Sequence, residues 1–87
     1  MYLYLGQDTV VSTSDIIGIF DLDNTTGSHI TRFFLNDAEK SGRVTAVSDE
    51  LPKSFILCGK NKDFVVYLSQ LSSQTLLKRS GSFLDKI

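Results

Sequence analysis

Short apolar runs separated by turn-forming residues dominate the N-terminal part of the chain. Residues 2–5 and 9–12 are rich in aromatic and β-branched side chains, and the intervening Gly6-Gln7-Asp8 predicts a β-hairpin. A third strand is predicted at residues 16–20, where Gly18 indicates a bulge or a close backbone approach. The polar residues that follow predict a loop.

One amphipathic helix is predicted at about residues 28–41. Ser28 can cap its first turn, and Gly42 favours its end. Apolar side chains recur at the i, i+3, i+4 and i+8 spacing of a buried helix face, at Ile30, Phe33, Phe34 and Ala38. We expect this whole stripe to lie in the core with Phe33 at its centre, so that truncation of Phe33 would unfold much of the chain.

Three more strands and a second helix are predicted in the remainder. The strands fall at residues 44–47, 54–58 and 64–69, and the last two are joined by a hairpin. Because these last two strands are nearly continuously apolar, both of their faces should be covered, by a helix or by a neighbouring subunit. Ser72 or Ser73 can cap a short C-terminal helix that ends near Gly81.

These elements predict one small α+β domain. We expect a mostly antiparallel sheet of about six short strands, packed by the main helix at about 28–41 and a short C-terminal helix at about 73–80. The domain should cover residues 1–81, and residues 82–87 should form a mobile tail. The apolar side chains Phe83, Leu84 and Ile87 of this tail could dock on a partner. An 87-residue chain has limited capacity to bury such strands alone, which favours a homo-oligomer.

Composition excludes several kinds of site. One cysteine, Cys58, cannot form an internal disulfide, and with the single His29 it cannot supply the ligands of a zinc site. We therefore expect no metal, no cofactor and a reducing compartment. The longest apolar run is far below the ~20 residues of a transmembrane helix, and the chain starts without a basic leader, so a cytoplasmic protein without membrane contact is expected.

Charge is distributed unevenly along the chain. Residues 1–27 carry four acidic and no basic residues (−4), whereas residues 28–87 carry nine basic and six acidic residues (+3), which together give the net charge of −1. This asymmetry allows a dipolar surface, which could face a polyanion or let the acidic side of one copy meet the basic side of the next. Nine basic residues are no excess, so composition alone does not predict DNA binding.

A short segment at the end of the third strand suggests a different chemistry. Asp21, Asp23 and Thr25 form a D-x-D-x-T pattern that resembles the nucleophile motif of haloacid-dehalogenase phosphatases, in which two aspartates approach Mg²⁺. That fold requires several parallel strands with long crossovers, for which the chain is too short. We favour a turn in which these side chains bond to the backbone, and we expect no enzyme.

The whole chain resembles the RemA/RemB extracellular-matrix regulators. The resemblance rests on the order and spacing of YLYLG at 2–6, VVS at 10–12, DIIGIFD at 15–21, ITRFF at 30–34 and PKS at 52–54. The segment LSSQTLLKR at 71–79 looks like the RemB branch. Together these segments cover about residues 1–80.

The resemblance implies a bacterial cytoplasmic protein that helps to switch on biofilm-matrix genes. Members of the RemA branch form rings and bind regulatory DNA through arginines on the ring surface. The resemblance therefore implies a homo-oligomer, with double-stranded DNA or a related DNA-binding regulator as partners. Arg32 stands at a matching basic position on the first helix, and Lys53 keeps a basic character in the loop before the fifth strand, so these two are the candidate DNA-binding residues. Asp15, Glu50 and Leu51 stand where that branch has arginines. An oligomeric scaffold or interaction module without DNA contact is the alternative.

Overall fold

The computed structural model describes the backbone of residues 1–22, 29–60 and 63–80, and all of their side chains except those of 29–31, 60 and 80. Along this part of the chain lie β1 (Tyr2–Gly6), β2 (Thr9–Ser12), β3 (Ile16–Asp21), α1 (His29–Lys40), β4 (Val44–Ala46), β5 (Ser54–Lys60), β6 (Asp63–Ser69) and α2 (Ser73–Ser80). The α+β class, the six strands and the two helices agree with the sequence prediction. The proposed Ser28 cap, the Asp23 and Thr25 positions and the tail 82–87 lie outside the described residues.

The six strands form two sheets, which corrects the expectation of one mostly antiparallel sheet. β1 and β2 pair with each other as an antiparallel hairpin, and the other strands form a four-stranded sheet in the order β3-β5-β6-β4. β5 is antiparallel to both β3 and β6, whereas β4 runs parallel to β6. β3 and β4 therefore run in the same direction. The helical connection through α1 allows this because it returns the chain to the end of the sheet where β3 began.

A short 3₁₀ turn separates the hairpin from the larger sheet. It spans Thr13–Asp15, and the amide of Thr13 donates a hydrogen bond to the carbonyl oxygen of Met1 at 2.9 Å. This turn changes the direction of the chain between β2 and β3. The hairpin consequently packs over a face of the four-stranded sheet and does not extend its edge.

Each face of the four-stranded sheet has its own apolar core. Neighbouring residues of β5 point to opposite faces, so Ile56 and Phe55 belong to different cores. The hairpin and α2 cover the Ile56 face, with the buried side chains Leu3, Leu5, Val11, Ile16, Val47, Cys58 and Leu76. α1 covers the Phe55 face, with the buried side chains Leu22, Ala38 and Val66. The prediction that both faces are covered is confirmed, with a helix on each.

The predicted core stripe of α1 is wrong at its centre, because Phe33 is 75% exposed. Ala38 is buried, and Phe34 and Leu35 pack against the same core. The ring of Phe34 stacks on Phe64 of β6, with 5.8 Å between the centroids. The helix is therefore rotated relative to the prediction, so that Phe34 faces the sheet. Because residues 33–35 are all apolar, the periodicity of the sequence could not show which of them is buried.

Two local predictions are confirmed. The pairing of β3 with β5 shifts register between Ile16 and Gly18, as expected for a bulge at the glycine. A Cβ at Gly18 would lie 2.6 Å from the ring of Phe20, so this glycine makes room for the stack of Phe20 on Phe55. At α2, Ser72 caps the helix, since its hydroxyl accepts a hydrogen bond from the amide of Thr75 at 3.1 Å.

Candidate functional site

Lys53 lies in the loop that leads into β5, with its side chain exposed. Its backbone is held on both sides: its amide donates to the carbonyl oxygen of Ser69 at 2.8 Å, and its carbonyl oxygen accepts from the amide of Leu22 at 3.0 Å. These bonds fix the position from which the ammonium group projects. A substitution of the side chain leaves both bonds intact.

Arg32, the other candidate, lies in the first half of α1 with an exposed side chain. It belongs to the helix that covers the Phe55 face of the sheet, whereas Lys53 belongs to a loop. The two predicted contacts are thus carried by separate elements at the surface. Both are accessible to a phosphate, which is the minimum that the DNA-binding hypothesis requires.

Two further basic side chains have structural partners. The guanidinium of Arg43 donates a hydrogen bond to the carbonyl oxygen of Phe64 at 3.0 Å and lies 4.4 Å from the centroid of the Phe64 ring. The guanidinium of Arg79 lies 5.4 Å from the centroid of the Tyr4 ring. These contacts tie the two guanidinium groups to neighbouring aromatic residues.

The loop around Lys53 is acidic and apolar as well as basic. Residues 48–53 contain Asp49, Glu50 and Lys53, two acids and one base, which sum to −1. Asp49 and Glu50 are exposed, and Leu51 is 87% exposed. A phosphate that approached Lys53 would meet two carboxylates in the same loop. The surface of this loop therefore combines a small net charge with an exposed leucine side chain.

An open groove, which the sequence did not predict, lies between the hairpin and the four-stranded sheet. We call it the tyrosine groove: its volume is about 670 Å³, and it is lined by Tyr2, Val10, Asp15, Cys58, Val65 and Tyr67 among others. The alternation of tyrosine and leucine in β1 was the signal for it, because period-2 alternation places every second side chain outside the core. Asp15 lies here and not in the loop of Lys53.

The thiol of Cys58 faces this groove in its protonated form. Burial, and secondly the nearby Asp15 carboxylate, raise the pKa of the Cys58 thiol from 9.0 to about 11. A thiolate is the nucleophile and metal ligand that cysteine chemistry needs, so the groove holds an unreactive thiol at neutral pH.

The aspartate that begins the D-x-D-x-T pattern lies in an antiparallel environment. Asp21 is the last residue of β3, and β3 pairs antiparallel with β5. The phosphatase motif belongs at the carboxyl end of a parallel sheet, which is not the setting of Asp21. Among the residues that the structure describes, no group of three or more potential metal ligands occurs. Within the same ranges, no helix is long and apolar enough to span a bilayer.

Comparison with known proteins identifies a relative over nearly the whole length. No family model matches the chain. The chain is 39% identical over 80 residues to extracellular matrix regulatory protein B of Bacillus subtilis (strain 168), an alignment that covers 92% of this chain and 90% of that protein. The matched relative is named as a regulatory protein and not as an enzyme. The chain therefore belongs to the RemB-like extracellular-matrix regulatory proteins of the RemA/RemB family.

Proposed function

We propose that this protein regulates the expression of bacterial extracellular-matrix (biofilm) genes as a cytoplasmic homo-oligomer that binds DNA or acts with a DNA-binding relative. The observation that carries the proposal is the 39% identity across 90% of extracellular matrix regulatory protein B. The aligned 80 residues cover 92% of the 87-residue chain.

Exposed apolar side chains support the oligomeric part of the proposal. Phe33 on α1, Ile17 on β3 and Leu51 in the loop before β5 are large, apolar and well exposed. Contact between copies would remove these apolar side chains from water. A ring of copies would also repeat the Lys53 position many times and give multivalent binding.

The DNA-binding part of the proposal rests on Lys53 and Arg32. Each copy offers few phosphate contacts, and Asp49 and Glu50 oppose them, so a single copy should bind weakly. Binding by an oligomer should be led by the shape and charge of the duplex, with little sequence preference, because phosphate contacts carry no base information.

Fluorescence anisotropy with labelled duplexes of unrelated sequence, measured over a range of salt concentrations, tests DNA binding. Lys53→Glu should weaken binding to all duplexes alike and lower the slope of log affinity against log salt by about one contact per copy. Lys78→Glu is the matched control, because it makes the same charge change at an exposed position on α2. Glu50→Arg should raise the affinity. If the parent binds no duplex at low salt and Glu50→Arg gains none, direct DNA contact is excluded.

Light scattering across micromolar concentrations tests the oligomer independently. A mass that is a multiple of the 9.7 kDa chain supports the proposal. A monomeric mass at every concentration contradicts it, whatever the DNA experiment shows.

A scaffold or interaction module without DNA contact is the second candidate function. The exposure of Leu51 beside two carboxylates favours it, since an apolar side chain with acidic neighbours suits a protein partner better than a polyanion. If the protein is such a scaffold, the anisotropy experiment should show no binding to any duplex at any salt concentration. Leu51→Ser should then impair association with a related regulator and leave the fold unchanged.

A further inference from the structure

The tyrosine groove carries negative charge only, among the described residues that line it. Asp15 and Asp63 contribute two carboxylates, and none of the other lining residues in the described part of the chain is a lysine, an arginine or a histidine. The thiol of Cys58 is neutral at pH 7, because burial raises its pKa to about 11. A cleft lined by charges of one sign attracts ligands of the opposite sign. The groove therefore favours a cationic occupant.

The two carboxylates belong to residues on either side of β5. Asp15 immediately precedes β3, Asp63 is the first residue of β6, and β5 lies between these two strands in the sheet. Neighbouring strands are about 4.8 Å apart, so the backbones of Asp15 and Asp63 are about 10 Å apart across the sheet. Lys60 pairs with Asp63 across the β5–β6 hairpin, but an ion pair at an exposed position such as Asp63 contributes little and does not exclude a ligand cation. This arrangement suits two positive charges spaced along one chain better than a single compact ion.

Most of the remaining lining is apolar or aromatic. Val10 of β2 and Val65 of β6 supply aliphatic surface, and Tyr2 and Tyr67 supply aromatic rings. Asp63, Val65 and Tyr67 alternate along β6 and therefore share the sheet face that the hairpin covers. Aliphatic surface suits methylene groups, and the face of a tyrosine ring attracts an ammonium group.

We propose that the tyrosine groove binds a linear aliphatic polyamine. The ammonium groups of the ligand pair with the two carboxylates, and its methylene chain lies against the valine and tyrosine side chains. The volume of the groove, about 670 Å³, lies within the usual range for small-ligand sites. The groove does not include Lys53 or Arg32, so this binding goes beyond the proposed function and is tested independently of DNA.

Equilibrium dialysis of the full chain against spermidine at low salt tests the proposal. Spermidine should bind at one site per chain, and propylamine, which carries a single charge, should bind at least about tenfold more weakly. Mg²⁺ is the control for charge alone and should compete poorly, because it has no methylene groups to contact the apolar lining. Absence of binding below millimolar spermidine, or equally effective competition by Mg²⁺, overturns the proposal.

Carboxylate variants locate the ligand. Asp63→Asn and Asp15→Asn should each weaken spermidine binding about threefold or more. Asp49→Asn is the matched control, because it removes an exposed carboxylate that does not line the groove, and it should leave the affinity unchanged. Since Asp63 is exposed, Asp63→Asn gives the answer even if Asp15→Asn loses its fold. Equal affinity of Asp63→Asn and Asp49→Asn contradicts binding in the groove.

A tyrosine pair tests the aromatic contact. Tyr2→Leu keeps apolar surface but removes the ring, and it should weaken spermidine binding about threefold. Tyr4→Leu makes the same change at the other exposed tyrosine of β1, which does not line the groove, and it should have no effect. Equal affinity of these two variants means that the ligand does not lie in the groove. Spermidine binding per chain should also stay constant as protein concentration rises, and a fall would show that another copy occupies the groove and would overturn the proposal.

Discussion

The hydroxyl of Ser69 donates a hydrogen bond of 2.6 Å to the carbonyl oxygen of Leu5, 64 residues away in the chain. The same hydroxyl accepts from the amide of Leu71 at 3.0 Å, and Ser69 is fully buried. Next to it in the sheet, the hydroxyl of Ser54 donates to the carbonyl oxygen of Leu71 at 2.8 Å. Two buried serines thus satisfy backbone groups where the hairpin, the sheet and the start of α2 meet.

Removal of the Ser69 hydroxyl should therefore loosen the hairpin. Ser69→Ala leaves the buried Leu5 carbonyl and Leu71 amide without this partner and should lower the free energy of unfolding by about 1–3 kcal/mol. Urea denaturation measures this. Ser14→Ala is the control, because Ser14 is exposed and its hydroxyl bonds to the exposed Ser12 hydroxyl. If the two variants unfold at the same urea concentration, the Ser69 bond contributes nothing.

The rotation of α1 makes a prediction that reverses the one from sequence. In a single copy of the chain, Phe33→Ala should change the free energy of unfolding by less than about 0.5 kcal/mol, since its ring is exposed there. Phe34→Ala should cost about 2 kcal/mol or more, because its ring stacks on Phe64 and packs against the second core. Thermal or urea unfolding of the two variants side by side checks this, and a larger loss for Phe33→Ala would show that the helix faces the other way.

The sequence identified the elements well because local signals determine them. Alternation, turn residues and caps placed all six strands and both helices within a few residues of their observed bounds. The division into two sheets was not predictable, because it depends on where the turn at Thr13–Asp15 sends the hairpin. The parallel pairing of β4 with β6 likewise depends on packing between distant segments, about which local patterns carry no information.

The candidate site was predictable only at single positions. The side chains of Lys53 and Arg32 are exposed, which agrees with a surface role. Periodicity could not show that the Arg43 guanidinium donates a hydrogen bond to the carbonyl oxygen of Phe64. The tyrosine groove joins residues from β1, β2, β5 and β6, so it exists only once the hairpin has folded over the sheet. The alternation in β1 could have indicated an exposed aromatic face but not what lies beside it.

The structural role of Arg43 has a testable consequence. Arg43→Met keeps an unbranched side chain but removes both the hydrogen bond to the Phe64 carbonyl and the contact with its ring. The free energy of unfolding should fall by roughly 1–2 kcal/mol. Lys40→Met removes one positive charge from the exposed last turn of α1 and is the control. Equal stability of the two variants would mean that the Arg43 contacts are not stabilising.

The last prediction concerns the Cys58 thiol, whose pKa is raised to about 11 by burial and by Asp15. Because the folded pKa lies above the unfolded value of 9.0, the folded state holds its proton where the unfolded state releases it. The resulting stability is fully present below pH 9 and is lost as pH rises towards 11. Ellman's reagent should therefore react slowly with the native thiol at pH 8 and rapidly in urea.

The comparison with Cys58→Ala isolates this effect, because tyrosine and lysine titrations are common to both proteins and cancel in the difference. The stability of the parent should fall relative to Cys58→Ala between pH 9 and 11. Asp15→Asn removes the second cause and should shift the fall to lower pH, while burial keeps it above that of a free thiol. If the difference between parent and Cys58→Ala does not change with pH, the thiol is not desolvated, and Cys58 does not lie in the core beneath the groove.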